Sequence, residues 1–110
     1  MITAKFFKRE DKILGFQISG HAGYAECGHD IVCSAVSTLG YTFLNGITDV
    51  LSIKPEYEIK DDDGFMRMSF KDSSKEDIIK AQVLMQTMLL GMENLKILYG
   101  DYIKVVKEEV

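Results

Sequence analysis

Apolar and polar residues alternate near the start of the chain. Residues 2–7 follow this alternation, and residues 13–19 repeat it. A period of two residues is typical of a strand with one buried face. The polar sequence Arg-Glu-Asp-Lys at 9–12 separates the two segments and favours a turn. We therefore predict two N-terminal strands, at 2–7 and 13–19, paired as a hairpin.

The period changes after a glycine-containing loop at residues 20–29. Asp30 has a side chain that commonly caps the start of a helix. Beyond it, apolar residues recur every three or four positions, as they do on one face of a helix. These residues are Val36, Leu39, Phe43, Ile47 and Val50. The pattern predicts a helix from Asp30 to about Leu51, with this stripe facing a sheet.

A second hairpin follows Pro55. Residues 57–60 and 65–71 have the composition of short strands, and the sequence Asp-Asp-Asp-Gly lies between them at 61–64. Glycine tolerates the positive φ that tight hairpin turns require. We read the three aspartates as part of this turn, since the later ligands of a calcium loop are missing.

The remaining residues predict one helix and one strand. Ser73 and Glu76 have the spacing of a capping box, and Gly100 ends the helix after about Tyr99. Residues 102–107 form the last strand. The element order β-β-α-β-β-α-β predicts an α/β (α+β) fold, a two-layer sandwich with two helices on a mixed sheet. At 110 residues, the chain has the size of a single domain spanning 1–110.

The second predicted helix is apolar on more than one side. One stripe consists of Ile78, Met85, Met88, Met92 and Leu95, while Ile79, Leu84, Leu90 and Ile97 lie off it. One sheet face does not cover both sets. Either the second set forms a homodimer contact, or the helix is central in a small core. The pattern alone leaves both interpretations open.

Composition and charge limit the functions and partners that we expect. The net charge is -4, and no run of Lys or Arg stands out, so we expect no direct nucleic-acid partner. An acidic enzyme can instead attract a basic protein substrate. We see no signal peptide and no apolar stretch of the roughly 18 residues that span a bilayer. These features predict a cytoplasmic protein without membrane contact, whose thiols stay reduced.

The reactive side chains are concentrated between residues 21 and 37. Both histidines and both cysteines of the chain lie in this segment. If Asp30 is the N-cap, Cys33 is in the first helical turn, where the helix dipole and free N–H groups favour a thiolate and a developing oxyanion. His21 can serve as its base because histidine exchanges protons near neutral pH. A small buried cysteine and a structural histidine remain alternatives at this point.

Two other chemistries fit the same side chains. The four residues His21, Cys27, His29 and Cys33 are candidate zinc ligands, although Cys27 and His29 are closer in sequence than zinc ligands usually are. A Cys27–Cys33 disulfide is a third alternative, which a reducing compartment disfavours. We expect no metal and no cofactor.

Asp30 and Ser37 have supporting roles in this interpretation. Asp30 either caps the helix or orients the substrate or His21. Ser37 lies one helical turn beyond Cys33, so its hydroxyl lines the site or faces solvent.

The residues around the candidate nucleophile resemble a known signature. The sequence Gly-His-Ala at 20–22, a glycine-bearing loop, and Gly-His-Asp-Ile-Val-Cys at 28–33 with a serine four residues later are similar to the pattern of the ribosomal-processing cysteine proteases, the Prp family. The resemblance covers nearly the whole chain, since its length, element order and helix-strand ending also match. Cys27 is not a required part of that pattern.

The resemblance implies a bacterial cysteine endopeptidase. Such enzymes remove a short N-terminal extension from a large-subunit ribosomal protein, number twenty-seven of the L series, as ribosomes mature. The resemblance also implies a homodimer without a cofactor. The alternative function is a non-catalytic, ribosome-associated module that binds a peptide or zinc.

The resemblance also assigns roles to residues. It makes His21 and Cys33 a catalytic dyad that acts through a thioester, with Asp30 and Ser37 as the acidic residue and the serine of the motif. It further implies a mobile loop that closes over the bound peptide, with backbone freedom supplied by Gly20, Gly23 and Gly28.

Overall fold

The predicted element order is observed. The computed structural model describes residues 1–20, 27–60 and 64–110, with the backbone alone for 27–30. The strands are β1 (Ile2–Arg9), β2 (Lys12–Ser19), β3 (Glu56–Lys60), β4 (Phe65–Ser69) and β5 (Ile103–Glu109). The helices are α1 (Cys27–Asn45), which continues into a π-helical turn (Gly46–Val50), and α2 (Lys75–Leu98).

The five strands form one mixed sheet in the order β3-β4-β2-β1-β5. β1 and β5 run parallel, and the other neighbours are antiparallel. Apolar side chains of the sheet and of both helices form one continuous core. The predicted α+β sandwich of two helices on a mixed sheet is therefore confirmed.

The core depends on large side chains from every layer. Phe6 and Phe16 lie opposite each other on β1 and β2, and both are buried. Met85, Met88 and Met92 of α2 are fully buried beneath them, as the predicted main stripe of that helix requires. Burial of each such side chain contributes roughly 1.5–3 kcal/mol relative to exposure, so these residues are a substantial part of the stabilising core.

α1 differs from its prediction at both ends. It begins at Cys27 and not after Asp30, which lies inside the helix, so the N-cap prediction for Asp30 is wrong. At the other end, the Leu51 N–H donates to the Gly46 carbonyl at 3.0 Å, the wider spacing of a π turn. This turn changes which residues face the core, and Val50 is 77% exposed although the stripe predicted it to face the sheet.

The start of α2 is shifted by one residue from its prediction. Ser74, not Ser73, is the N-cap, and its hydroxyl accepts a hydrogen bond from the Asp77 N–H at 3.1 Å. The Ser73 N–H instead donates to the Phe70 carbonyl at 3.0 Å in the preceding turn. Ser73 is therefore part of that turn and not of the helix.

Gln82 of α2 joins this helix to the start of β2. Its side-chain oxygen accepts from the Ile13 N–H at 2.8 Å, and its nitrogen donates to the Ile13 carbonyl at 2.9 Å. β4 ends opposite Gly15, so the backbone of Ile13 lies beyond the last residue pair of those two strands. The Gln82 side chain supplies the partners that an adjacent strand would otherwise provide.

One segment passes a length and composition test for membrane spans. Residues Ile31–Val50 have a mean hydropathy of 1.3, so the expectation that no apolar stretch reaches spanning length is wrong. A core helix passes the same test. Here Val32, Val36, Leu44 and Ile47 of this segment are buried in the core, where their apolar character is needed.

Gly15 provides a test of how tightly β2 and β4 pair. A Cβ atom at this position would lie 2.1 Å from the Met68 carbonyl oxygen, a backbone atom that cannot move aside. We expect Gly15→Ala to lower the free energy of unfolding by about 1–3 kcal/mol, measured by urea denaturation.

Gly91→Ala is the matched control. A Cβ there meets only a flexible δ-carbon of Leu39 at 2.9 Å, and alanine favours the helix by about 1 kcal/mol. Equal losses in the two variants would contradict the steric explanation for Gly15.

Candidate active site

A cavity of about 160 Å³ lies beside Cys33, between α1 and the sheet. α1 contributes Cys33, Ser37 and Tyr41 to its wall, and these residues are spaced by four, so they lie on one face of the helix. Cys33 is partly buried and Ser37 is exposed. The thiol therefore lies in a recess that a ligand can enter.

The sheet supplies the apolar surface of the cavity. Ile18 of β2 and Met66 of β4 are adjacent across the two strands and are both buried, and Phe65 lies beside them. Ile2 of β1 closes another side. The recess thus combines one thiol and one hydroxyl with mainly apolar walls, the usual composition of a small binding pocket.

Gly40 allows α1 to lie close to this part of the sheet. A Cβ atom at position 40 would lie 2.8 Å from Cδ1 of Ile18 and 2.9 Å from the sulfur of Met66. Any larger residue would have to push the helix or these side chains away. The width of the cavity is therefore coupled to the absence of a side chain at Gly40.

Cys33 lies deeper in α1 than the sequence predicted. Because α1 begins at Cys27, Cys33 is the seventh helical residue and not the third. The free N–H groups of a helix belong to its first four residues, here 27–30, which end one turn before Cys33. The expectation that Cys33 lies in the first helical turn is wrong.

Gly20 ends the described part of the loop at the rim of the cavity. Its φ is +94°, a region that favours glycine, and a Cβ there would lie 2.5 Å from the Met1 carbonyl oxygen. Its N–H donates to the Gly64 carbonyl at 3.1 Å. This bond joins the end of β2 to the turn before β4, and both glycines line the cavity.

The side chains of several predicted site residues are not among those that the structure describes. His21 and Gly23 are outside the described residues, and Gly28 and Asp30 are described by their backbone alone. Of the predicted site residues, the structure brings Gly20, Cys33 and Ser37 to one cavity.

The described residues bear on the two alternatives to a nucleophilic cysteine, a zinc site and a disulfide. Residues 1–20, 31–60 and 64–110 contain no group of three or more His, Cys, Asp or Glu side chains that could hold a metal ion. Cys27 and Cys33 both lie in α1, six residues apart, which corresponds to about 9 Å along a helix axis. Bridged cysteines have Cα atoms within about 7 Å, so this helix excludes a Cys27–Cys33 disulfide while it stays folded.

Tyr41, Ile18 and Met66 are cavity residues that the sequence analysis did not identify. Tyr41 had a usable signal, because it continues the four-residue spacing of Cys33 and Ser37 by one more turn. Ile18 and Met66 had none, because their position at the cavity depends on how α1 crosses the sheet.

The family comparison identifies the class of protein. A sequence model described as "Cysteine protease Prp" matches residues 1–104. The protein is therefore a cysteine protease, and the chain belongs to the Prp family.

Two relatives agree with this assignment. The "Ribosomal processing cysteine protease Prp" of Bacillus subtilis strain 168 is 33% identical over 107 residues, with 96% of each chain covered. The protein of the same description from Staphylococcus aureus strain Mu50 is 29% identical over 96 residues, covering 87% of this chain and 88% of that protein.

Solved structures share the fold. The crystal structure of SMU.848 from Streptococcus mutans has a TM-score of 0.88 at 29% identity, covering 100% of this chain and 96% of that one. An essential ribosomal processing protease Prp from S. aureus, in complex with a substrate peptide, has a TM-score of 0.84 at 28% identity, covering 98% and 100%. The same protease with a covalently linked product peptide has a TM-score of 0.80 at 29% identity, with the same coverage.

Substitution at Ser37 tests whether this cavity receives the substrate. Ser37→Trp places a large side chain in the recess beside Cys33, so we expect kcat/KM for a cleaved peptide to fall by roughly tenfold or more, mainly through KM. Steady-state kinetics measure the effect.

Ser34→Trp provides the matched control. Ser34 is also an exposed serine of α1 but does not line the cavity, so this variant should keep near wild-type kinetics. Equal losses from the two substitutions would show that tryptophan disturbs α1 in general and does not block a site.

Proposed function

We propose that this protein removes the short N-terminal extension of a large-subunit ribosomal protein, number twenty-seven of the L series, by Cys33-dependent hydrolysis. One observation carries the proposal: a partly buried cysteine lines an apolar cavity in a chain of the Prp family. The relatives described as ribosomal processing proteases support the substrate class. Family membership favours this function over a non-catalytic peptide- or zinc-binding module.

We assign the role of nucleophile to Cys33 and that of general base to His21. Gly20 lines the same cavity as Cys33, and His21 is the next residue in the chain. The role of His21 rests on this adjacency in sequence to a cavity residue and on its match to the family motif.

The proposed reaction passes through a thioester. His21 takes the proton of the Cys33 thiol, and the sulfur attacks the scissile carbonyl. The C–N bond breaks as the leaving amine receives the proton from His21. Water, deprotonated by His21, then attacks the thioester, and release of the carboxylate restores the free cysteine. The cycle needs no metal or cofactor.

The cavity walls support an apolar or aromatic residue next to the cut. Ile18, Met66 and Phe65 surround the space beside Cys33, and the volume of about 160 Å³ suits one large side chain. Ser37 adds a hydroxyl that can bond to the peptide backbone. Asp30, Gly23 and Gly28 are proposed as supporting residues on the family motif alone.

Mass spectrometry of the extended ribosomal protein tests the dyad. Wild type and Cys27→Ser should remove the extension, whereas Cys33→Ser and His21→Ala should lose at least about a thousandfold in rate, because the nucleophile and its base act as a unit. Retained cleavage by Cys33→Ser would contradict the proposed nucleophile.

Cys27→Ser is the matched control, since it removes the other thiol of the same helix. Its full activity would also argue against a zinc site that needs Cys27. We place the reaction in the cytoplasm, where the cysteines stay reduced.

We further propose that the protein forms a homodimer through the outer face of α2. Three residues of the predicted second set lie on this face together with Val83, and all four are 55% to 81% exposed: Ile79, Val83, Leu90 and Ile97. The remaining residue of that set, Leu84, is partly buried against the core. The spacing of the four exposed residues, by four, seven and seven positions, keeps them within one narrow stripe of the helix. A second copy that presents the same stripe buries both in a symmetric contact.

Charge substitution in the stripe tests the dimer. Leu90→Glu brings two carboxylates, one from each copy, into the proposed contact. We therefore expect the dissociation constant of the dimer to rise by at least roughly 100-fold, measured by analytical ultracentrifugation. Leu98→Glu is the control, because Leu98 is 70% exposed but lies about 100° around the helix from Ile97. A wild-type protein that is monomeric at micromolar concentration would contradict the proposal.

A further inference from the structure

A second depression adjoins the cavity at Cys33, with Tyr41 in the wall of each. It has a volume of about 360 Å³ and lies between the end of α1, the π-helical turn and β3. We call the combined surface, from Cys33 past Tyr41 to Asp49, the α1 groove.

The far end of the α1 groove has a different chemical character from the cavity at Cys33. Tyr41 and Tyr57 provide aromatic surfaces, and Asn45, Thr48 and Asp49 provide polar groups. Tyr57 is on the edge strand β3 and is 60% exposed. Aromatic faces together with a carboxylate suit an ammonium or guanidinium group.

Asp49 is the charged residue at this end of the groove. Its carboxylate accepts a hydrogen bond from the Thr48 hydroxyl at 3.2 Å. No salt bridge of Asp49 occurs among the residues whose side chains are described, and neither Lys nor Arg lines this depression. The negative charge is therefore available to a ligand.

The length of the groove sets where a bound peptide would present a cation. Asp49 lies 16 residues beyond Cys33, about 24 Å along a helix axis. An extended peptide advances about 3.3 Å per residue. The far end is thus about seven residues from the scissile bond.

We propose that the far end of the α1 groove is a specificity subsite for a cationic group of the substrate, held by Asp49 between Tyr41 and Tyr57. The inference rests on the proposed function, because it assumes that a peptide lies along the groove with its scissile bond at Cys33. A Lys or Arg side chain and the amino terminus of the peptide offer the same chemistry.

A peptide series tests the subsite in the whole protein. A single lysine is moved through positions roughly five to nine residues from the cut, on either side, against norleucine at the same place. Each peptide is made with a free and with an acetylated amino terminus. kcat and KM are measured for wild type, Asp49→Asn and Asp72→Asn, the last being an exposed aspartate that lines neither depression.

We expect one position, about seven residues from the cut, at which a cation raises kcat/KM by about threefold to tenfold through KM. Asp49→Asn should abolish this preference, and Asp72→Asn should retain it. Loss of the preference on acetylation assigns it to the amino terminus, and retention assigns it to the side chain. An unchanged preference in Asp49→Asn, or none in wild type, would overturn the subsite and leave the protease function standing.

A binding measurement separates the two proposals. Fluorescence anisotropy compares the same peptides on Cys33→Ser and on Cys33→Ser with Asp49→Asn, without any cleavage. If wild type cleaves none of the peptides but the lysine preference in binding depends on Asp49, the reaction is wrong and the cation subsite is right. Equal binding of lysine and norleucine peptides rejects the subsite whatever the kinetics show.

Discussion

The close contact between α1 and the sheet at Gly40 is the constraint on which the site depends. Without a side chain at this position, the helix can lie directly against Ile18 and Met66. That contact fixes the height of Cys33 and Tyr41 above the sheet, because all three residues belong to one helix. The absence of a side chain at Gly40 therefore allows close packing and also sets the shape of the recess beside Cys33.

The period of apolar residues was sufficient to predict the elements but not their ends. Alternation in β1 and β2 and the methionine stripe of α2 mark buried faces directly, since each reflects a repeat of the backbone. The start of α1 at Cys27 and the cap at Ser74 depend on local competition between turn and helix hydrogen bonds. Residue type alone does not decide such competitions.

Residue spacing predicted the candidate site only where its residues are neighbours in sequence, and Gly20 was identified through the family motif. Cys33 and Ser37 are one turn apart, so the helical repeat already relates them. Ile18 and Met66 come from separate strands, and only the packing of α1 across the sheet brings them to the thiol. Gln82 likewise gave no signal, because its role is to supply hydrogen bonds where β4 ends opposite Gly15.

The position of Cys33 also changes how its reactivity is explained. A thiol in the first turn of a helix gains from the dipole and from free N–H groups. Cys33 is one turn beyond those groups, so the mechanism that we propose depends more heavily on a partner side chain to activate the thiol. In that proposed mechanism the base is indispensable, and His21 contributes more than the helix terminus.

The parallel pairing of β1 with β5 has a consequence for when the enzyme becomes active. Ile2, which closes one side of the cavity, is paired with Ile103, nearly the whole chain later. Contacts this distant in sequence form late and slow the folding of a small domain. A nascent chain that has not yet released β5 from the ribosome thus lacks the strand that holds this wall in place. Proteolytic competence should therefore appear only after synthesis of the last strand.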